Sequence, residues 1–151
     1  MQLKNLDDTD RQILKHLSEN GRLSNADLGR LVNLTRAAVR ERINRLIDNE
    51  IIDRFTIVVN PLKAGKMLSM YFTVEVDWAS MESVAEKLMA ADETTNVYQM
   101  SGQPHLHVHV LFDNQEHADR YVRELQGIDG ITRVCSEFLI RRYKERGALL
   151  I

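Results

Sequence analysis

The chain of 151 residues is short of several things, and each shortage narrows what it can be. A single cysteine, Cys135, excludes an intramolecular disulfide framework and any CxxC metal or redox motif. No apolar run approaches the ~20 residues of a membrane-spanning helix. The start, Met1-Gln2-Leu3-Lys4-Asn5, lacks the apolar stretch of a signal peptide, so a cytoplasmic protein with no membrane partner is expected. Two prolines and seven glycines punctuate the chain at identifiable places, among them Gly21, Pro61, Gly65, Gly102 and Pro104. Excess charge of one sign is also missing: 20 Lys+Arg against 22 Asp+Glu give −2, which by itself would not suggest a nucleic-acid partner.

The charge that is present is unevenly placed. Residues 1–60 carry 2 Lys and 8 Arg against 9 acids, a net +1, and the remainder carries 10 bases against 13 acids, a net −3. Within the first part, Arg36-Ala37-Ala38-Val39-Arg40-Glu41-Arg42-Ile43-Asn44-Arg45 holds four Arg and one Glu. A local +3 matters to a phosphate backbone more than the distant total does, because salt screens charge beyond roughly 8 Å.

Three short helices are predicted to open the chain. The first starts at Asp7, with Asp10 in a capping-box-like position, Ile13, Leu14 and Leu17 along one face, and Gly21 as its stop. The second starts at Ser24, with Asp27 completing a capping box, Leu23 and Leu28 forming a hydrophobic staple, and Leu28, Leu31 and Val32 as its apolar side. The third is capped by Thr35, stapled by Leu34 and Val39, and carries Val39, Ile43, Leu46 and Ile47 on its buried stripe. Only Asn33-Leu34-Thr35 separates the second and third helices, the spacing of a helix-turn-helix.

Opposite its core stripe, the third helix presents Ala37, Glu41, Asn44 and Arg45, with Arg40 and Arg42 on the shoulders and Arg36 in the first turn. Such a face suits a DNA major groove. Ala37 and Ala38 permit close approach, Arg40 and Arg45 reach phosphate or guanine edges, and Asn44 can read adenine. Glu41 could accept from cytosine or pair with Arg45 at i+4. Arg42 is set first as a brace to an acid of helix one or two, ahead of direct base contact. Ser24 and Asn25 at the start of helix two, Thr35 and the later Arg54 complete the expected DNA-contacting set.

Ile51 to Val59 reads as a strand, closed by Asn60-Pro61, that would serve as the wing of a winged helix-turn-helix. The expected boundaries are a DNA-binding domain over 1–60, a linker over 61–67 and a second domain over 68–151.

The second domain alternates clearly. Strands are predicted from Leu68 to Asp77, Asn96 to Ser101, His105 to Phe112 and Ile131 to Tyr143, with helices at Trp78–Ala91 and Gln115–Gln126. The order βαββαβ is that of a ferredoxin-like sheet, which makes the whole an α+β chain. Two helices cover one sheet face. The other, with Tyr71, Thr73, Glu75 and three histidines, must be solvated or buried against a second subunit.

His105, His107 and His109 project from one face at intervals of roughly 6.6 Å. Two neighbours could share a Zn²⁺ with ~2.0 Å bonds if Glu75, Cys135 or a partner subunit completed the set. The alternative is that they are hydrogen-bonding fillers of a subunit interface. No metal or cofactor is assigned. Cys135 and Met70, Met81 and Met89 are read as core fillers.

The succession Leu6-Asp7-Asp8-Thr9-Asp10, Ile13-Leu14, Gly21-Arg22-Leu23-Ser24-Asn25-Ala26-Asp27-Leu28, Leu34-Thr35 and Arg42-Ile43-Asn44-Arg45-Leu46 resembles the Lrp/AsnC regulators over nearly the whole chain. The resemblance implies a prokaryotic transcription factor that binds pseudo-palindromic promoter DNA on the nucleoid. It also implies that the second half is the ligand-binding RAM domain, dimerising through its sheets and often assembling into octamers. Amino-acid effectors would bind near the glycine turn Met100-Ser101-Gly102-Gln103-Pro104-His105. Two positions depart from the family pattern: Glu50 stands where a glycine is usual, and His105 stands where an acid suited to a ligand ammonium is common. A metal-responsive or effector-independent architectural DNA-binding protein is the alternative reading. Siroheme decarboxylases resemble the two-domain layout as well, but no nucleophile or cofactor motif is recognisable.

Overall fold

The computed structural model describes residues 6–143. The first five residues and 144–151, which include the end of the expected second domain, lie outside the described residues. The chain divides after Val58 into two compact units.

The first unit is three helices, α1 (Asp8–Glu19), α2 (Asn25–Val32) and α3 (Arg36–Asp48). Each begins at a side-chain cap, in which Asp7, Ser24 and Thr35 accept from the backbone N–H three residues on. This satisfies a donor that a bare helix start would leave open. Ser24 and Asp27 form the full capping box, whereas Asp10 sends its carboxylate elsewhere. Ile13, Leu14, Leu28, Val32, Val39, Ile43 and Leu46 make the core, with Leu23 and Leu34 packed at its edge as the staples require. Leu31 and Ile47 are exposed rather than buried, because at 100° per residue each falls on the shoulder of its helix stripe.

The predicted strand over 51–59 does not form, and no wing is present among the described residues of this unit. Ile51 and Ile52 turn back onto the helical core, and residues 53–60 are exposed. β-branched residues favour extended backbone, but a strand also needs a ladder partner, and the described residues set no edge beside this segment. Asn60 to Lys66 is a folded turn, with Lys66 N–H donating to Pro61 O at 2.8 Å.

The second unit contains β1 (Leu68–Val76), α4 (Met81–Met89), β2 (Thr94–Met100), β3 (His105–Phe112), α5 (Gln115–Gln126) and β4 (Ile131–Phe138). Trp78–Ser80 is a 3₁₀ turn instead of the first turn of α4, and β4 stops at Phe138, five residues before its expected end. The antiparallel sheet has the order β2-β3-β1-β4, as the ferredoxin-like arrangement requires. Phe72, Val74, Val76, Leu106, Val108, Val110 and Phe112 point to the face covered by α4 and α5, which add Met81, Val84, Leu88, Ala118, Tyr121 and Leu125. The alternation read in the sequence thus becomes one dry face and one open face. Met89 is exposed at 61%, and Cys135 is exposed rather than buried because its register partner Thr73 lies on the open face. No described helix is long and apolar enough to cross a membrane.

Candidate nucleic-acid interface

The turn between α2 and α3 is built from backbone geometry. Asn33 adopts φ 55°, ψ 43°, and Leu34 N–H donates to Gly29 O at 2.9 Å, closing α2 with the left-handed residue such an end requires. Gly29 is the residue that lets the turn approach this closely. A Cβ there would sit 2.5 Å from the Leu34 carbonyl oxygen, so any side chain would push α3 away from α2. Sequence reading passed over Gly29, although a glycine inside a short helix four residues before a cap was the available signal.

Beyond the turn, Thr35, Arg36, Ala37, Arg40, Glu41, Asn44 and Arg45 are all exposed, and Ala38 is half-buried beside Val39. Thr35 Oγ1 accepts from Ala38 N–H at 3.2 Å, so one lone pair of its hydroxyl is committed to starting the helix. Ser24 is likewise committed, its hydroxyl donating to Asp27 at 2.6 Å, while Asn25 is half-buried in the first turn of α2. Arg54 is 79% exposed and stands beside Asp53 at 3.6 Å, outside any strand.

The two remaining arginines of α3 return to α1. Arg42 donates to Asp7 at 2.6 Å and to Asp10 at 2.8 Å, which makes it the brace expected of a shoulder arginine. Asp7 holds its carboxyl below the ordinary range chiefly through this hydrogen bond, and Arg42 is pushed up reciprocally. Arg45 does not pair with Glu41. It reaches Asp10, with Nη2 at 3.0 and 2.9 Å from the two oxygens, because the carboxylate of α1 lies within reach and is shielded from water. Asp10 is the residue whose role the sequence reading misplaced. Its position on the same stripe as Ile13, Leu14 and Leu17 was the signal, since a charge on a buried stripe needs a partner.

The second candidate region is the turn after β2. Gly102 has φ 107° with open space around it, and Met100, Ser101 and Gln103 are exposed while Pro104 and His105 are half-buried. His105 Nδ1–H donates to Gln103 O at 2.7 Å, and its ring lies 5.3 Å from that of His107. His107 stands 3.4 Å from Thr73. His109 spends Nε2 on Ser69 and Nδ1 on Thr95, both at 2.7 Å, and stacks on Tyr71 at 4.4 Å. Each of the three histidines thus has a polar partner within the protein. Among the described residues, no group of three or more His, Cys, Asp or Glu is placed to hold a metal.

A helix-turn-helix whose second helix keeps an exposed basic face, carried in one chain with an open-faced βαββαβ sheet, defines a DNA-binding regulator. An AsnC-type helix-turn-helix domain matches residues 6–47, and an Lrp/AsnC ligand binding domain matches residues 69–149. The chain is 32% identical over 127 residues to an HTH-type transcriptional regulator of Pyrococcus horikoshii, covering 83% of this chain and 80% of that one. It is 30% identical over 141 residues to the HTH-type transcriptional regulator LrpA of Pyrococcus abyssi, covering 92% and 99%. In fold it matches a transcriptional regulator of Neisseria meningitidis solved as an L-Met complex, with TM-score 0.90, 24% identity and 96% coverage of both chains. It also matches AsnC of E. coli, with TM-score 0.86, 22% identity and coverage of 95% and 98%. The chain belongs to the Lrp/AsnC family of transcriptional regulators.

Proposed function

We propose that the chain is a sequence-specific regulator that binds pseudo-palindromic promoter sites as a dimer, lays α3 in the major groove, and answers to a small metabolite bound near residues 100–105. The observation that carries the reading is the outer face of α3. Arg36, Ala37, Arg40, Glu41 and Asn44 are exposed there, while every apolar residue needed by the core lies on the opposite side. Two small residues at the helix start admit the groove wall, Arg36 and Arg40 meet phosphate or guanine, Asn44 reads adenine, and Glu41 meets cytosine. Asn25 and Arg54 approach the backbone from either side. The effector arm draws support from the match to a ligand binding domain and from the Neisseria regulator bound to L-Met. With relatives that are transcriptional regulators, the reading is of a cytoplasmic, nucleoid-bound regulator and not of an enzyme.

The test uses a duplex recovered with this protein from a random-sequence library, titrated by fluorescence anisotropy. Arg40→Ala is expected to weaken binding about tenfold, the range of one good base or phosphate contact, with the far-ultraviolet circular dichroism unchanged. Asn44→Ala is expected to relax selectivity at one position of the recovered site. Unchanged affinity and selectivity in both variants would overturn the assigned face.

A further inference from the structure

Asp10 is the buried charged side chain of the described residues, 3% exposed, on the stripe of α1 that also carries Ile13 and Leu14. Its two carboxylate oxygens are taken up entirely by α3, as Arg42 Nη1 donates to Oδ1 at 2.8 Å and Arg45 Nη2 donates to both oxygens. The two arginines differ in what they have left to offer. Arg42 is also tied to Asp7, and its side chain is only 25% exposed. Arg45 keeps 54% of its side chain exposed, and among the described residues its Nε–H and Nη1 hydrogens donate to nothing.

We infer that Asp10 is a positioning residue for DNA recognition, holding the Arg45 guanidinium by one nitrogen so that its free N–H edge leaves α3 in a fixed direction toward the groove. The inference rests on the DNA face proposed above and on that face extending from Asn44 to the neighbouring, exposed Arg45. Its physical basis is preorganisation. A free arginine loses rotamer freedom when DNA orders it, whereas one already held by a buried carboxylate has lost that freedom on folding. The planar fork makes this possible, because a guanidinium can give one nitrogen to a carboxylate and still present two others in the same plane. Charge runs the other way. At long range the Asp10 carboxylate offsets one arginine, so it lowers general attraction to phosphate while sharpening what the remaining N–H groups can read. Asp10 therefore favours selected sequence over arbitrary duplex.

That opposition of signs supplies the experiment. Full-length wild type, Asp10→Asn, Arg45→Ala and the double variant are titrated against the library-selected duplex and against a scrambled duplex of the same composition. Asp10→Asn keeps the shape of the buried group and leaves Arg42 on Asp7, so the fold is expected to survive, which circular dichroism checks. Expected are an approximately tenfold loss on the selected duplex, equal or tighter binding to the scrambled one, and a double variant no weaker than Arg45→Ala alone. Arg45→Lys, a change at an exposed position, serves if Asp10→Asn does not fold. It keeps the charge but loses the fork, so it is expected to lose selectivity with little change in salt dependence. Losses from Asp10→Asn that are equal on both duplexes, or that add in full to those of Arg45→Ala, would overturn the inference, as would undiminished selectivity in Arg45→Lys. Unchanged affinity in Arg45→Ala would instead remove Arg45 from the DNA face, and the inference with it.

Discussion

At Glu50 the chain turns out of α3 with φ 58°, a left-handed backbone that suits glycine. The hydrogen bonds around it explain why the conformation is kept. Glu50 N–H donates to Ile47 O at 2.8 Å and Ile51 N–H donates to Leu46 O at 2.9 Å, the paired closure of a Schellman motif, and Ile51 packs on the helical core. The family resemblance sets glycine at this position, and this chain holds a left-handed geometry there with a side chain that resists it. Glu50→Gly is therefore expected to stabilise the first unit by about 0.5–1 kcal/mol, the relief of left-handed strain partly offset by a more flexible unfolded chain. Urea denaturation followed by circular dichroism measures it, and a loss of stability would show that the turn carries no strain. Legibility at this scale divided along chemical lines. The caps Asp7, Ser24 and Thr35 could be read because each acts within three residues of its own position. The partner of Arg45 could not, because Asp10 lies 35 residues away and only the packing of α1 on α3 brings the two together.

Among the elements, β1 and β3 were plain in the sequence because alternation reports directly which face each side chain takes. The segment 51–59 had the same residue types but stayed single, since composition describes a willingness to extend and says nothing about a neighbouring edge. The end of β4 was overextended for a related reason, as no strand among the described residues pairs with 139–143 apart from the bond of Leu139 N–H to Ser69 O. A junction between elements was equally invisible. His117, in the first turn of α5, donates from Nε2 to Glu93 just before β2 at 2.6 Å, and its Nδ1 stands 3.4 Å from Asp113. Lys66 ties Asp113 to the turn before β1 at 2.8 Å. The carboxyl of Glu93 is held below its ordinary value of 4.5, first by its own backbone amide and next by His117, with burial opposing. A carboxyl whose value is lower in the folded state than in the unfolded chain contributes stability above the unfolded value, and that contribution is lost as pH falls through the folded one. The junction thus stabilises the second unit at neutral pH and releases it in the window below 4.5. Denaturant melts of wild type and Glu93→Gln across this window are expected to differ near neutrality and to converge in acid. Parallel curves throughout would show that the junction contributes nothing.

For the whole molecule, the reading of α3 as the helix that meets DNA sets a requirement on the open face of the sheet. Across that face run Asn96, His109, Tyr71 and Glu137, then Tyr98, His107, Thr73 and Cys135, as the strand register places them. Tyr71, Tyr98 and Met100 expose 40%, 58% and 41% of their surface, and Phe55, Ile57 and Val58 are exposed as well. An antiparallel sheet tolerates water on one face, and the dimer proposed above would bury the aromatic and methionine side chains gathered on this one. A single recognition helix reads too few base pairs to single out a promoter, so a two-fold pairing of sheets would join two such helices on half-sites spaced by whole turns of ~10 bp. Tyr98→Asp sets a carboxylate in the middle of the face without touching the core. In sedimentation velocity the wild type is expected to run as a dimer or a multiple of it, and Tyr98→Asp as a monomer with unchanged circular dichroism. On DNA the variant should lose on the order of 10²-fold on a duplex with two half-sites, the gain that linkage supplies, and nothing on a duplex with one. Equal losses on both duplexes would mean that the substitution had damaged the DNA-binding unit itself. An intact dimer in Tyr98→Asp would place the interface elsewhere, with the exposed run from Phe55 to Val58 the next surface to test.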